Sequence, residues 1–181
     1  MPPLWINTPI YMQTIDIQIR QVRAADLPLL EWNGELSHYR QLFRQVFEQS
    51  QRRRTLMWFV SSPEYPIIGQ VFVQLISTRL ELADGFYRAH VFSFRVIPEL
   101  RSQGIGGILL RKVEQDLLHR GFHRACLNVV RTNLRGRAFY ARHGYEVIGE
   151  DPGIWSYQDL DGVWHNMEEP AWRMEKPLVL P

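Results

Sequence analysis

Three glycines, Gly104, Gly106 and Gly107, stand between a strand-like run and a long apolar stripe, with Arg101, Ser102 and Gln103 just before them. Glycine lets bare backbone approach a ligand and adopts positive φ without strain. Ile105, Leu109, Val113 and Leu117 then recur every four positions, which is one face of an amphipathic helix. A glycine loop opening such a helix offers unpaired N–H groups at the positive end of the helix dipole. Its natural chemistry is the binding of an anion, phosphate first. Two phosphate loops do not fit. A Walker loop needs Gly-Lys followed by Ser or Thr, and Gly107 is followed by Ile108. The dinucleotide pattern GxGxxG would need a third glycine where Leu109 stands.

A second set follows downstream. Asn133 comes just after the short apolar run Cys126–Val130, Tyr140 lies seven residues on in a helical pattern, and Gly144-Tyr145 opens another strand. With Arg101-Ser-Gln-Gly104-Ile-Gly106, of the form (Q/R)xxGx(G/A), this order and spacing resembles the two signatures of the GCN5-related N-acetyltransferases (GNAT). The resemblance is specific over about residues 87 to 150. It implies an α/β fold whose mixed, twisted sheet has six or seven strands, splays between the fourth and fifth, and carries helices on both faces. It also implies acetyl-CoA as acetyl donor, an amine as acceptor, and no metal.

Residue by residue, the resemblance implies the following. The backbone of Phe94 and Val96 would pair with the pantetheine arm as an added strand. Arg101, Ser102, Gln103, Gly104, Ile105, Gly106 and Gly107 would cradle the pyrophosphate, and Asn133 would hydrogen-bond the arm from the other side. Arg101 and Arg142 would reach nucleotide phosphates, and an N–H near Val96 would polarise the thioester carbonyl. Tyr140 would meet the cofactor and act as the acid, since a phenol with pKa about 10 can protonate the departing thiolate.

The base is less plainly written. Ribosomal-protein acetyltransferases of the family carry a glutamate on the fifth strand, but the matching residue is Asn128, which cannot titrate. His90, six residues before Val96, occupies a position where other members place a glutamate or a histidine. An imidazole with pKa near 6.5 suits a base at neutral pH. Glu81 and Asp84, in the loop before it, are the next choices. The expected reaction is acetyl transfer to a primary amine, of a small molecule or a protein or peptide N-terminus, by direct attack in a ternary complex. The alternative is a non-catalytic acyl-CoA-binding sensor, which the loss of a carboxylate at Asn128 keeps open.

The elements that must position these groups are legible. Residues 1–14 read as an irregular leader and 15–181 as a single acetyltransferase domain. Ile15–Arg20 alternates as a strand, and Asp26 is placed to cap a short helix through Leu30 and Trp32. Ser37 is placed to cap the next helix, with Tyr39, Leu42, Phe43, Val46 and Phe47 on one face. Strands follow at Leu56–Ser61, Ile67–Thr78 and Ala89–Val96, and later at Tyr145–Ile148 and Ala171–Met174. Asp161-Gly162 between Trp155-Ser-Tyr and Val163-Trp predicts an extra hairpin.

A net charge of +2 over 181 residues is too mild to argue for nucleic acid. Cys126 is the only cysteine, so no internal disulfide forms, and its apolar strand suits a packed residue rather than a nucleophile. His119 and His123 have a metal-binding spacing, but Gly121 between them should end the helix. The N-terminus MPPLWINTPIYM lacks the basic region of a secretory signal, and no apolar run approaches a membrane span. A cytoplasmic protein, with a homodimer allowed, is the simplest expectation.

Overall fold

The structure is a computed structural model, and it describes residues 16–179. The expected leader at 1–14 lies outside them, as does Ile15. The strands are β1 (Gln18–Gln21), β2 (Thr55–Ser61), β3 (Gly69–Gln74), β4 (Arg88–Val96), β5 (Arg124–Val130), β6 (Glu146–Asp151), β7 (Ile154–Gln158), β8 (Trp164–Glu168) and β9 (Ala171–Pro177). The α-helices are α1 (Arg40–Gln51), α2 (Ile105–His119) and α3 (Leu134–Arg142). Seven strands form one sheet in the order β1-β2-β3-β4-β5-β9-β6, and β7 pairs with β8 as a separate hairpin. Every sheet pair is antiparallel except β4 with β5.

Helices cover both faces because both faces carry apolar rows. On one face α2 lays Leu109, Val113 and Leu117 over Trp58, Val71, Val91 and Leu127, and Tyr140 of α3 joins the same cluster. On the other, Phe43 and Val46 of α1 and Leu30 cover Met57, Phe59 and Phe72. The Leu30 segment is a 3₁₀ run, Ala24–Gly34, broken by left-handed Trp32 and Asn33.

Three sequence expectations need correction here. Asp26 is not the cap itself; it sits in the first turn and accepts from the Arg23 N–H (2.7 Å), while Arg20 grips it with two bonds (2.7 and 2.9 Å). Ser37 opens a 3₁₀ turn, Ser37–Tyr39, and caps nothing with its side chain. The long strand expected over Ile67–Thr78 is ordered as strand over Gly69–Gln74 alone, because the chain then folds over β4 and β5 with Leu82 and Ala83 buried.

Candidate active site

The parallel pairing of β4 and β5 runs from Arg88–Arg124 to Val91–Leu127 and stops there. β4 continues to Val96 and β5 to Val130 without bonding each other. The strands thus part into a V. On its β5 side the backbone of β4 from Phe92 to Val96 has no strand partner, a row of donors and acceptors open to another extended chain.

A bulge aims this edge. Gln70 and Phe72 of β3 pair with Arg95 and Phe92, so two residues of β4 oppose the single Val71. Ser93 takes φ 51 at the bulge, and the alternation of β4 slips by one. Ala89 and Val91 face α2, and after the bulge Phe94 and Val96 do so as well. His90, Phe92 and Arg95 face the other way: the His90 ring stacks parallel on Phe92 (6.0 Å), and the Arg95 guanidinium lies 5.6 Å from the Tyr39 ring.

A cleft of about 730 Å³ opens along the V, within the size range of small-molecule sites. Phe94, Val96, Arg101, Ser102, Gly104, Gly106, Gly107, Asn133, Tyr140 and Arg142 line it, so ten of the residues singled out in the sequence meet in one place. Gln103 and Ile105 do not turn into it. Gln103 reaches back to the Glu99 carbonyl, and Ile105 is buried in the core. His90 is not in its lining either; its side chain belongs to the opposite face.

The glycines have different jobs. Gly104 caps α2 with φ 81, and a Cβ there would meet nothing within 4 Å. Its demand is conformational, and the space beside it is open. A Cβ on Gly107 would lie 2.8 Å from His143 Nε2, so that glycine admits α3 close to α2. Ser102, left-handed at φ 63, accepts a bond from Arg135 Nη2 (2.9 Å), which ties the loop to α3 across the mouth. Arg101 donates through Nε to the Val96 carbonyl (2.8 Å), so that carbonyl is occupied and only the outer nitrogens of Arg101 face a ligand. Asn133 likewise spends its Oδ1 on the Gly136 N–H (2.8 Å) as the cap of α3, leaving its NH₂ for other partners.

Five arginines line the cleft (Arg95, Arg101, Arg111, Arg135 and Arg142), and among the described residues no acidic one joins them there. That charge and the donors at the start of α2 suit phosphate oxygens. The sequence reading missed Arg95, Arg111, Arg135 and His143. Arg111 stands one helical turn after Gly107, a spacing that could have found it; Arg135 required the α2–α3 contact.

Tyr140 is buried among Phe94, Phe139 and Tyr145, with ring centroids 5.2 to 6.1 Å away. Burial pushes its phenol well above the ordinary value, so it stays protonated at any working pH. His90 differs from the sequence expectation. Its ring nitrogens are closed off from water and have no partner among the described residues, and burial, then Arg79, lowers its pKa to about 4 against the opposing pull of Asp151. The imidazole is neutral at pH 7 but is a far weaker base than one near 6.5. Cys126 is packed with its thiol against the Leu82 carbonyl (2.9 Å), and burial pushes it up to about 12, too high to supply a thiolate.

Of the fallback carboxylates, Glu81 is paired with Arg79 (2.9 Å). Asp84 accepts the N–H groups of Phe86, Tyr87 and Arg88. Neither is free. Asp151, at the end of β6, lies under Arg79 and accepts from the Gly153 N–H (2.8 Å). Burial raises its pKa, but Arg79, that N–H and the Asn128 amide outweigh it and hold the carboxyl below the usual range.

The sequence profile of the acetyltransferase (GNAT) family matches residues 20–145. Among solved structures, the ribosomal-protein-S18-alanine N-acetyltransferase of Escherichia coli is similar, at 20% identity and TM-score 0.65 over 91% of this chain and 96% of that one. The PaiA N-acetyltransferase of Thermoplasma acidophilum, solved with coenzyme A, matches at 18% identity and TM-score 0.65, over 90% and 99%. NAA60 of Arabidopsis thaliana, solved with acetyl-CoA, matches at 16% identity and TM-score 0.67, over 90% and 98%. At these identities the structures speak for the fold, and the profile speaks for the family. The chain belongs to the acetyltransferase (GNAT) family.

Proposed function

We propose that this protein binds acetyl-CoA in the cleft between β4 and β5 and transfers its acetyl group to a primary amine by direct attack. The observation that carries the reading is one cleft that joins an unpaired strand edge, a helix N-terminus ringed by arginines, and a buried phenol. Pantetheine is an extended amide chain, and the edge of β4 at Phe94–Val96 has complementary donors and acceptors, apart from the Val96 carbonyl that Arg101 holds. The pyrophosphate meets the backbone at Gly104, Gly106 and Gly107, with Arg135 and Arg142 beside it. The catalytic unit is a single domain of residues 15–181, and cytoplasmic acetyl-CoA is its donor. Among the described residues, no helix is long and apolar enough to cross a membrane.

In the reaction the amine nitrogen forms a bond to the thioester carbonyl carbon, the C–S bond breaks, the nitrogen loses a proton and the thiolate gains one. Tyr140 contributes as a hydrogen-bond donor to the developing thiolate. Its raised pKa favours donation without full release of the proton, so the sulfur is stabilised where charge appears and takes its proton from water as CoA leaves. His90, neutral at working pH but with its ring nitrogens shut off from water, takes the amine proton only from an acceptor seated against its ring and passes it on, since an imidazole of pKa about 4 does not hold it.

The test is release of CoA thiol from acetyl-CoA in the presence of a panel of amines and peptide N-termini. Acceptor-dependent release without a burst supports direct transfer. Tight acetyl-CoA binding with no release from any acceptor supports the sensor reading, which the neutral Asn128 favours.

A further inference from the structure

On the sheet face opposite Tyr140, the residues nearest the apex of the V are polar, and several are without partners. His90 pairs in register with Cys126, and Asn128, two residues on, is the first residue of β5 beyond its last partner on β4. Asn128 in turn pairs with Arg173 of β9, so the three side chains share one face of three adjacent strands. Both His90 ring nitrogens, Asn128 Oδ1 and Arg173 Nε are shut off from water and make no hydrogen bond among the described residues. Buried polar atoms are nearly always paired, so a group of orphans in one place marks where something else binds. Closer to the mouth, Arg95 lies over Tyr39, which packs against Tyr157 and Trp155 of the hairpin.

The charges around this space are lopsided. Arg95 and Arg173 make no ion pair among the described residues, and residues 1–15 contain no acidic side chain to supply one. Every nearby carboxylate is already engaged. Asp151 and Glu81 are held by Arg79, Glu175 by Arg88 and Arg124, and Glu169 by the Trp155 N–H. Beside Asn128, the carboxylates that could receive an ammonium ion, Asp151 and Glu175, are both neutralised by arginine. Two guanidiniums and a side-chain carbonyl would instead repel a polycation and receive an anion next to a neutral amine.

We propose that the acceptor carries a carboxylate or similar anion beside its amine, that Asn128 receives the amine, and that Arg173 and Arg95 hold the anion. This rests on the acetyl-transfer reading and names its substrate class. Asn128 is then a positioning residue: its carbonyl accepts a hydrogen bond from the nitrogen and turns the lone pair toward the thioester. The attacking amine is the neutral fraction, because the site stabilises no positive charge on it.

The experiment compares kcat/KM for glycine, β-alanine and γ-aminobutyrate with their primary amides and with putrescine, each corrected for its neutral-amine fraction. The best acid should exceed its own amide by about tenfold or more, and the ratio should shrink with added salt. In Arg173→Gln and Arg95→Gln that ratio should fall toward unity, a readout that a merely structural loss would not move. Asn128→Ala should lower acid and amide together, and Asn128→Asp should shift preference toward putrescine. Transfer to amides or putrescine in preference to every acid overturns the proposal while leaving acetyl transfer standing. An acid preference that survives both arginine changes, or an Arg95→Gln effect on the KM of acetyl-CoA alone, also overturns it. Absence of transfer to any amine, with acetyl-CoA unbound, removes the underlying reading and the proposal with it.

Discussion

Tyr140 and His90 lie on opposite faces of the same sheet, on either side of the point where β4 and β5 part. Tyr140 packs on Phe94 from the α2 face, and His90 stacks on Phe92 from the other. The Ser93 bulge makes this arrangement, since without the slip Phe94 would share the face of Phe92. A thioester in the V can therefore have its sulfur met from one side and its nucleophile delivered from the other.

Acetyl-CoA should bind and NAD should not. Gly104→Val should weaken acetyl-CoA binding by about tenfold or more, because φ 81 strains a β-branched residue and its side chain would fill the open space at the start of α2. Calorimetry with both ligands decides this. Saturable NAD binding with no response to acetyl-CoA would end the reading.

Tyr140→Phe removes only the hydroxyl. It should lower kcat by about 10²-fold with little change in acetyl-CoA affinity, as for a donor that acts in the transition state. Steady-state kinetics with the best acceptor check it, and unchanged turnover would mean the thiolate leaves unaided.

The low-pH limb of kcat/KM due to His90 should lie near pH 4, not at pH 6 to 7. Any limb between pH 6 and 9 should move with the pKa of the acceptor, because it belongs to the substrate. If a limb at pH 6 to 7 stays fixed across acceptors and vanishes in His90→Leu, the burial argument is wrong.

The same residue makes stability depend on pH. The folded pKa lies below the unfolded value of about 6.5, so the unfolded chain binds the proton more readily. Stability is then complete above about pH 6.5 and is lost as pH falls toward 4, by up to about 3 kcal/mol. Thermal melts from pH 7 to pH 4.5 should show the fall, and His90→Leu should flatten that part of the curve.

Gly107→Ala should destabilise by about 1–3 kcal/mol, since its methyl would press on the His143 ring, which is itself held to the Phe139 carbonyl at 2.8 Å. In a His143→Ala background the same change should become neutral or stabilise by up to about 1 kcal/mol, the helix propensity gain of alanine. A denaturant double-mutant cycle measures this. Equal costs in both backgrounds would exclude the contact.

What the sequence determined by itself was local. The four-residue apolar spacing after Gly104 reports α2 because one helical face repeats at that period, and Asp161-Gly162 reports the hairpin because its turn needs φ > 0, found as 80° at Gly162. The order and spacing of Arg101, Gly104, Asn133 and Tyr140 led to one cleft through their resemblance to the GNAT signatures. Tertiary structure alone decided the rest. β9 inserts between β5 and β6 although β6 precedes it, a pairing set by contacts far apart in the chain. Arg79 reaches Asp151 across 72 residues, and from there it helps to hold His90 uncharged. Alternation along β4 places Arg95 on the wrong face until the bulge at Ser93 is seen, because a one-residue slip in register is invisible in composition. The basicity of His90 and the unpartnered atoms of Asn128 and Arg173 depend on what is buried beside them, and burial is a property of the packed chain.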